Sequence, residues 1–218
     1  MIRSLTLVFA AFIVLPAATA ADLDAAKLRL SSANVLVFDA KEGKAVYAKA
    51  ADEVTPIASL TKLMTAMVVL DANQPMDEVL SIDMDDFDYL KGSHSRLRMG
   101  TALTRAEMLR LALMSSENRA ASALARHYPG GTLAFVAAMN EKAMALGMTR
   151  THYDDSTGLS PKNVSTANDL ARLVRAAADY PVIRDYSTTP SHFVETNSGQ
   201  TLGFNNSNAL VKSGAWDI

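Results

Sequence analysis

Ser59-Leu60-Thr61-Lys62 places a hydroxyl three residues before an amine. On a helix, residues three apart share a face, so the two groups come within hydrogen-bonding reach. A position in the first turn gives Ser59 unpaired backbone N–H groups and the positive end of the helix dipole. Both favour negative charge developing on an attacked carbonyl oxygen. Lys62 sits in a segment, residues 60–70, whose polar members are Thr61, Lys62 and Thr65. Burial there disfavours the ammonium and makes a neutral amine available as general base toward Ser59. The chemistry would be acyl transfer through a serine nucleophile. A lysine snorkelling out of a core helix spells the same letters.

Ser116-Glu117-Asn118 is the second group of interest. It falls at a break between two helical stretches, where side chains can project into a cleft. A hydroxyl at that place can pass a proton between a leaving amine and Lys62, and the Asn118 amide can both donate to and accept from a peptide group. The bland alternative is a helix end followed by the next N-cap. Ser32-Ala33-Asn34 has the same spelling but precedes a strand and reads as local turn chemistry.

These groups need elements to hold them. Residues 33–40 and 44–50 are strand-like runs around Lys41-Glu42-Gly43 and predict a β-hairpin. The segment containing Lys62 is apolar on nearly every side, which predicts a buried helix. Residues 71–100 are irregular, and Asp83, Asp85, Asp86 and Asp88 read as a solvated acidic surface, not a calcium loop. Thr104 and Glu107 form a capping box ahead of a helix. Further helices are expected over Asn118–Tyr128, from a Thr132 cap to Leu146, and from Thr166 and Asp169 to a stop before Pro181. A second hairpin is expected around Asn197-Ser198-Gly199-Gln200. Strands at both ends with helices between them suggest an α/β fold, one antiparallel sheet with flanking helices and an inserted helical lobe.

Composition narrows the partners. Of 218 residues, 21 are Lys or Arg and 23 Asp or Glu, a net charge of −2 without a basic block, which argues against nucleic acid. With no Cys, disulfide scaffolds, thiol nucleophiles and thiolate metal sites are excluded. No pair among His94, His127, His152 and His192 has i, i+3 or i, i+4 spacing, so no helical metal site is expected. At the N-terminus, Arg3, the apolar run Leu5–Leu15 and Ala18-Thr19-Ala20 suit a secretory signal over residues 1–20, cleaved after about Ala20. The run is too short to span a bilayer. The expectation is a mature domain over residues 21–218, exported to a periplasm without a stable membrane anchor.

The order S-x-x-K, then S-x-N, is that of penicillin-binding proteins and class A β-lactamases. PIASLTKLMTAMVVLD, LALMSSENRAASALARHYPGG and GMTRTHYDDSTGLSPKNVSTANDLARL together resemble the low-molecular-mass serine D-alanyl-D-alanine peptidases, the S11-type penicillin-binding proteins. The similarity runs from about Ala33 to Ile218 and is nearest to their soluble periplasmic endopeptidase subgroup. It implies a β-lactamase/transpeptidase-like fold and cleavage of D-alanyl bonds in peptidoglycan stems or cross-links, with β-lactams as inhibitors. It gives Ser59 as nucleophile, Lys62 as its base, Ser116 as proton relay and Asn118 as substrate-orienting group. No cofactor is implied.

The family also carries a K-T-G or K-S-G strand. Lys212-Ser213-Gly214 spells it but reads as a decoy, because Asn205-Asn206-Ser207-Asn208 before it is turn-like. The resemblance therefore implies a catalytic domain cut short before that strand. Two rivals remain at this point: a non-catalytic penicillin- or muropeptide-binding module, and a class A-like β-lactamase, against which Gly147–Asn163 contains no Glu.

Overall fold

The computed structural model describes residues 30–88, 92 and 95–213. The export signal expected over residues 1–20 lies outside them. The chain divides after Leu30, and the unit from Ser31 onward carries every element that follows.

The first hairpin forms as the sequence predicts. Strands β1 (Val35–Asp39) and β2 (Lys44–Lys49) pair antiparallel, with a bulge between Val37 and Phe38. Asp39 closes the turn by accepting from the Lys41 and Glu42 N–H groups. Strand β3 (Thr55–Pro56) leads through a 3-10 turn, Ala58–Leu60, into helix α1 (Thr61–Asp71). Eight of the eleven α1 residues are buried, including Met64, Ala66, Met67, Val68 and Val69. Helix α1 is the axis of the molecule: helices α2 (Arg105–Met114), α3 (Asn118–Arg126), α4 (Gly131–Ala145), α5 (Ala167–Ala177) and α6 (Pro181–Ser187) all pack on it. A helix enclosed on every side has no use for an amphipathic stripe, which is why its sequence reads as a nearly unbroken apolar run.

The boundaries of these helices follow local chemistry. Thr104 accepts from the Glu107 N–H while the Glu107 carboxylate accepts from the Thr104 N–H, the reciprocal cap expected for α2. Thr166 caps α5 by accepting from Asp169 N–H, and Gly147 (φ 71°) ends α4. Thr132 is not a cap. Gly130, at φ 87°, turns the chain into α4 two residues earlier than expected, which leaves Thr132 inside the first turn. Helix α5 stops before Pro181, as expected, and Pro181 opens α6, where its missing N–H costs nothing.

The strands depart from the single sheet expected. Among the described residues they form four separate antiparallel pairs: β1 with β2, β3 with β6 (Val164–Ser165), β4 (Val79–Ser81) with β5 (Ala102–Thr104), and β7 (Ser191–Glu195) with β8 (Thr201–Asn205). The two terminal hairpins are not hydrogen-bonded to each other, because β1 packs on α5 while the end of β8 is tied to α2 through Ser207 N–H donating to the Met114 carbonyl. The acidic run is also more than a solvated face. Asp83 caps a 3-10 turn, and Asp86 is buried against Arg126 at 2.8 Å. Removing the hydroxyl of Thr104 should cost about 1 kcal/mol, read in Thr104→Ala as a fall in Tm of about 2–4 °C.

Candidate active site

The chain enters the site through a strained turn. Ala58 holds φ 46°, in the left-handed region that non-glycine residues rarely occupy. Ile57 N–H donates to the Asn163 carbonyl before it, and Leu60 N–H to the Ile57 carbonyl across it, so the turn is fastened on both sides. Ser59 therefore lies in the 3-10 turn just ahead of α1 and not in the first α-helical turn, as the sequence suggests. Its side chain is exposed, whereas Lys62, one turn along, is buried. The three-residue spacing survives the change of helix type, and Lys62 Nζ stands 3.2 Å from Ser59 Oγ.

Lys62 Nζ has two further partners. It donates to Asn118 Oδ1 at 2.7 Å and to the Thr157 carbonyl at 2.7 Å. An ammonium has three N–H donors, and all three are used. Burial works against that charge, while the Asp155 and Glu117 carboxylates support it. Burial prevails, and the lysine is lowered from 10.5 to about 8. When Lys62 is neutral, the two carbonyl oxygens, which can only accept, keep its two remaining N–H groups. The lone pair is thereby turned toward Ser59 Oγ. This is the geometry of a base waiting for a hydroxyl proton.

On the opposite side, Ser116 Oγ donates to Ser59 Oγ at 2.7 Å. Ser116 occupies the break between α2 and α3 with φ 58°, a second left-handed non-glycine residue. Ser115 N–H, Ser115 Oγ and Glu117 N–H all bond the Leu111 carbonyl, which pins the end of α2 and forces the chain to reverse at Ser116. Such strain costs on the order of 1–3 kcal/mol and gathers at functional sites. Glu117 follows as the N-cap of α3, accepting from Arg119 N–H. Its buried carboxyl is pushed upward by desolvation, with the Ser95 side chain and Arg119 opposing.

The third wall comes from the segment that the sequence marks by resemblance, without a role for any of its residues. Residues 154–163 fold over α1 through side chain-to-backbone bonds. Asn163, fully buried, accepts from Asp154 and Asp155 N–H and donates to Thr61 Oγ1 at 2.9 Å. Thr65 donates to the Ser156 carbonyl, and Ser156 to the Ala121 carbonyl, so the loop is stitched to both α1 and α3. Gly158, at φ 84°, lies so close to the nucleophile turn that a Cβ there would fall 1.9 Å from the Ala58 carbonyl oxygen. The Thr157 contribution is a backbone oxygen, which residue type does not reveal; Gly158 and Asn163 are the letters that mark the wall.

Thus Ser59, Lys62, Ser116 and Asn118 converge. Lys212 and Ser213 do not join them: they lie exposed on helix α7 (Ala209–Ser213), and Gly214 is outside the described residues. Among the described residues no cluster of three His, Asp or Glu side chains could hold a metal ion, and no helix is long and apolar enough to cross a membrane.

Residues 18–218 match the peptidase S11 family, described as D-alanyl-D-alanine carboxypeptidase. The chain is 53% identical over 190 residues to a D-alanyl-D-alanine endopeptidase of Pseudomonas aeruginosa, covering 87% of this chain and 61% of that protein. It is 48% identical over 203 residues to the D-alanyl-D-alanine endopeptidase of Escherichia coli, covering 93% and 66%. The chain thus spans less than two thirds of these relatives' lengths. A mutant of a Streptomyces DD-transpeptidase superposes with a TM-score of 0.79 at 28% identity, over 87% of this chain and 79% of that one.

The contact at Gly158 makes a sharp test. Gly158→Ala should move the Ala58–Ser59 turn away from Lys62 and destabilise the fold by about 1–3 kcal/mol, measured by chemical denaturation and by the Lys62 Nζ to Ser59 Oγ distance in a crystal structure of the variant.

Proposed function

The chain belongs to the peptidase S11 family, and we propose that it is an exported serine hydrolase that opens D-alanyl peptide bonds of peptidoglycan through an acyl-enzyme on Ser59. The observation that carries this reading is the meeting of Ser59 Oγ with Lys62 Nζ at 3.2 Å and Ser116 Oγ at 2.7 Å.

In this reading neutral Lys62 takes the Ser59 proton as Oγ attacks the carbonyl carbon. The C–O bond forms as the oxygen gains charge, and collapse of that adduct expels the amine. Ser116, hydrogen-bonded to Ser59, passes its hydroxyl proton to the leaving nitrogen and takes back the proton held on Lys62, which leaves the amine neutral again. Asn118 keeps Lys62 aligned through Oδ1 and orients the peptide group of the substrate. Water then attacks the ester, with Lys62 again accepting the proton and delivering it to Ser59 Oγ as the acyl C–O bond breaks, which returns the free serine and the neutral amine. Each step uses proton donors and acceptors already present in the chain.

The family and the two endopeptidase relatives support peptidoglycan peptides as substrate and β-lactams as agents that acylate the same serine. The N-terminal pattern Arg3, Leu5–Leu15 and Ala18-Thr19-Ala20 supports export, with the signal removed after about Ala20 and residues 21–218 as the catalytic domain. A β-lactamase reading is not favoured: Asp155, an acid of the loop facing Lys62, is occupied with N–H groups of that loop.

Labelled penicillin should form one adduct, on Ser59, located by peptide mass mapping and absent in Ser59→Ala. Lys62→Met should slow acylation by about 10²–10⁴-fold. The ammonium cannot accept a proton and the neutral amine can, so the acylation rate of the unmodified chain should rise with pH around a midpoint of about 8. A rate independent of pH through that range would remove Lys62 from the role of base.

A further inference from the structure

Asp155 touches none of the groups that would meet a substrate, yet the wall that holds Lys62 is built around it. Its Oδ1 accepts from Thr157 N–H at 2.8 Å and Gly158 N–H at 2.6 Å, and from Asn163 Nδ2 at 3.1 Å. Its Oδ2 accepts from Ser160 N–H at 2.7 Å. One carboxylate thus gathers three backbone N–H groups and a side-chain amide. A carboxylate is acceptor-only with two oxygens, so it can satisfy all four at once. These bonds fix the turn whose two working points are the Thr157 carbonyl on Lys62 Nζ and Gly158 against the Ala58 carbonyl. The clamp therefore holds base and nucleophile turn together.

We propose that Asp155 is a positioning residue for Lys62, holding the Thr157 carbonyl against the amine through the turn it closes and bringing a carboxylate to bear on it. The role rests on the reading of Lys62 as the base for Ser59.

The two contributions oppose each other, which makes them separable. The charged side chains acting on Lys62 are Asp155, from the loop, and Glu117, from the N-cap of α3. Both favour the ammonium, so loss of either charge moves the titration of Lys62 to lower pH. Loss of the clamp acts on geometry and lowers the rate reached once Lys62 is neutral. A residue that merely stabilised the loop would alter the second quantity or the overall stability without moving the first.

Asp155→Asn removes the charge and can no longer serve Ser160 N–H, because its amide nitrogen is a donor. Asp155→Glu keeps the charge near Lys62 but carries the acceptors one methylene too far. The Lys62 titration can be followed in the full chain by the ¹³Cε resonance of labelled lysine, assigned by its loss in Lys62→Met. Acylation of Ser59 by a fluorescent penicillin is measured across the same pH range. In Asp155→Asn the midpoint should fall below the wild-type value of about 8, and the limiting rate at high pH should drop by about 10²-fold, the scale of a misplaced catalytic group. In Asp155→Glu the midpoint should stay close to wild type while the limiting rate falls.

An unchanged midpoint or an unchanged limiting rate in folded Asp155→Asn overturns the proposal. If that variant does not fold, Asp155→Glu decides: an undiminished limiting rate overturns the clamp. Absence of any penicillin adduct on Ser59 in the wild-type chain would instead sink the acyl-transfer reading, and the lysine titration would still judge Asp155 alone.

Discussion

The site depends on a single buried amine having two fixed carbonyl acceptors. Lys62 Nζ lies 2.7 Å from Asn118 Oδ1 and 2.7 Å from the Thr157 carbonyl, and these come from different parts of the chain. Neither oxygen can donate, so both demand an N–H from lysine in either protonation state. The third valence is the variable one, and it faces Ser59. If Lys62 had been placed in water, its proton would be held near the ordinary value of 10.5 and the lone pair would be free to point anywhere. Burial lowers it to about 8, a differential on the order of 3 kcal/mol against the charged form. About a tenth of the molecules then carry the neutral amine at pH 7.

That constraint explains the company α1 keeps. An apolar helix packed by five others excludes water from Lys62, and the same enclosure forbids stray polar groups nearby. The polar α1 residues beside it are answered individually: Thr61 by Asn163, Thr65 by the Ser156 carbonyl. Both answers come from the loop that also supplies the Thr157 carbonyl. The loop satisfies the helix and fixes the Lys62 amine with one set of bonds, so its folding and the site's assembly are the same event.

Much of this was legible in the letters because it depends on side-chain type at short range. Ser59 and Lys62 are three apart, Thr104 and Glu107 form a reciprocal cap, and the break at Ser116 follows from two helical patterns meeting. What stayed hidden depends on backbone atoms or on partners far away in the chain. The Thr157 carbonyl is 95 residues from Lys62, and a carbonyl oxygen has no letter. The pairing of the described strands into four separate ribbons was hidden for a related reason. Alternation marks a strand but not its neighbour, and β1 settles on α5 instead of beside the second hairpin. The buried Asp86 escaped because an acid in an acidic run looks solvated until Arg126, forty residues later, is brought to it.

Strain supplies the last step. Ala58 and Ser116 both hold left-handed backbone that glycine would adopt more easily, and each sits directly at the paired Ser59 and Ser116 hydroxyls. A glycine at either place would relax the turn but also widen its range of conformations. Ala58 is boxed in by Gly158, whose lack of a Cβ allows the two backbones to touch. Ser116 is held by three bonds converging on one carbonyl, that of Leu111. In both cases the side-chain-free partner or the shared acceptor lies outside the cluster of Ser59, Lys62 and Ser116. Freedom has been moved from the residues of the cluster to the residues that surround them. This is why a 2.7 Å contact between two serine hydroxyls on different elements can persist where one of them, Ser59, is exposed.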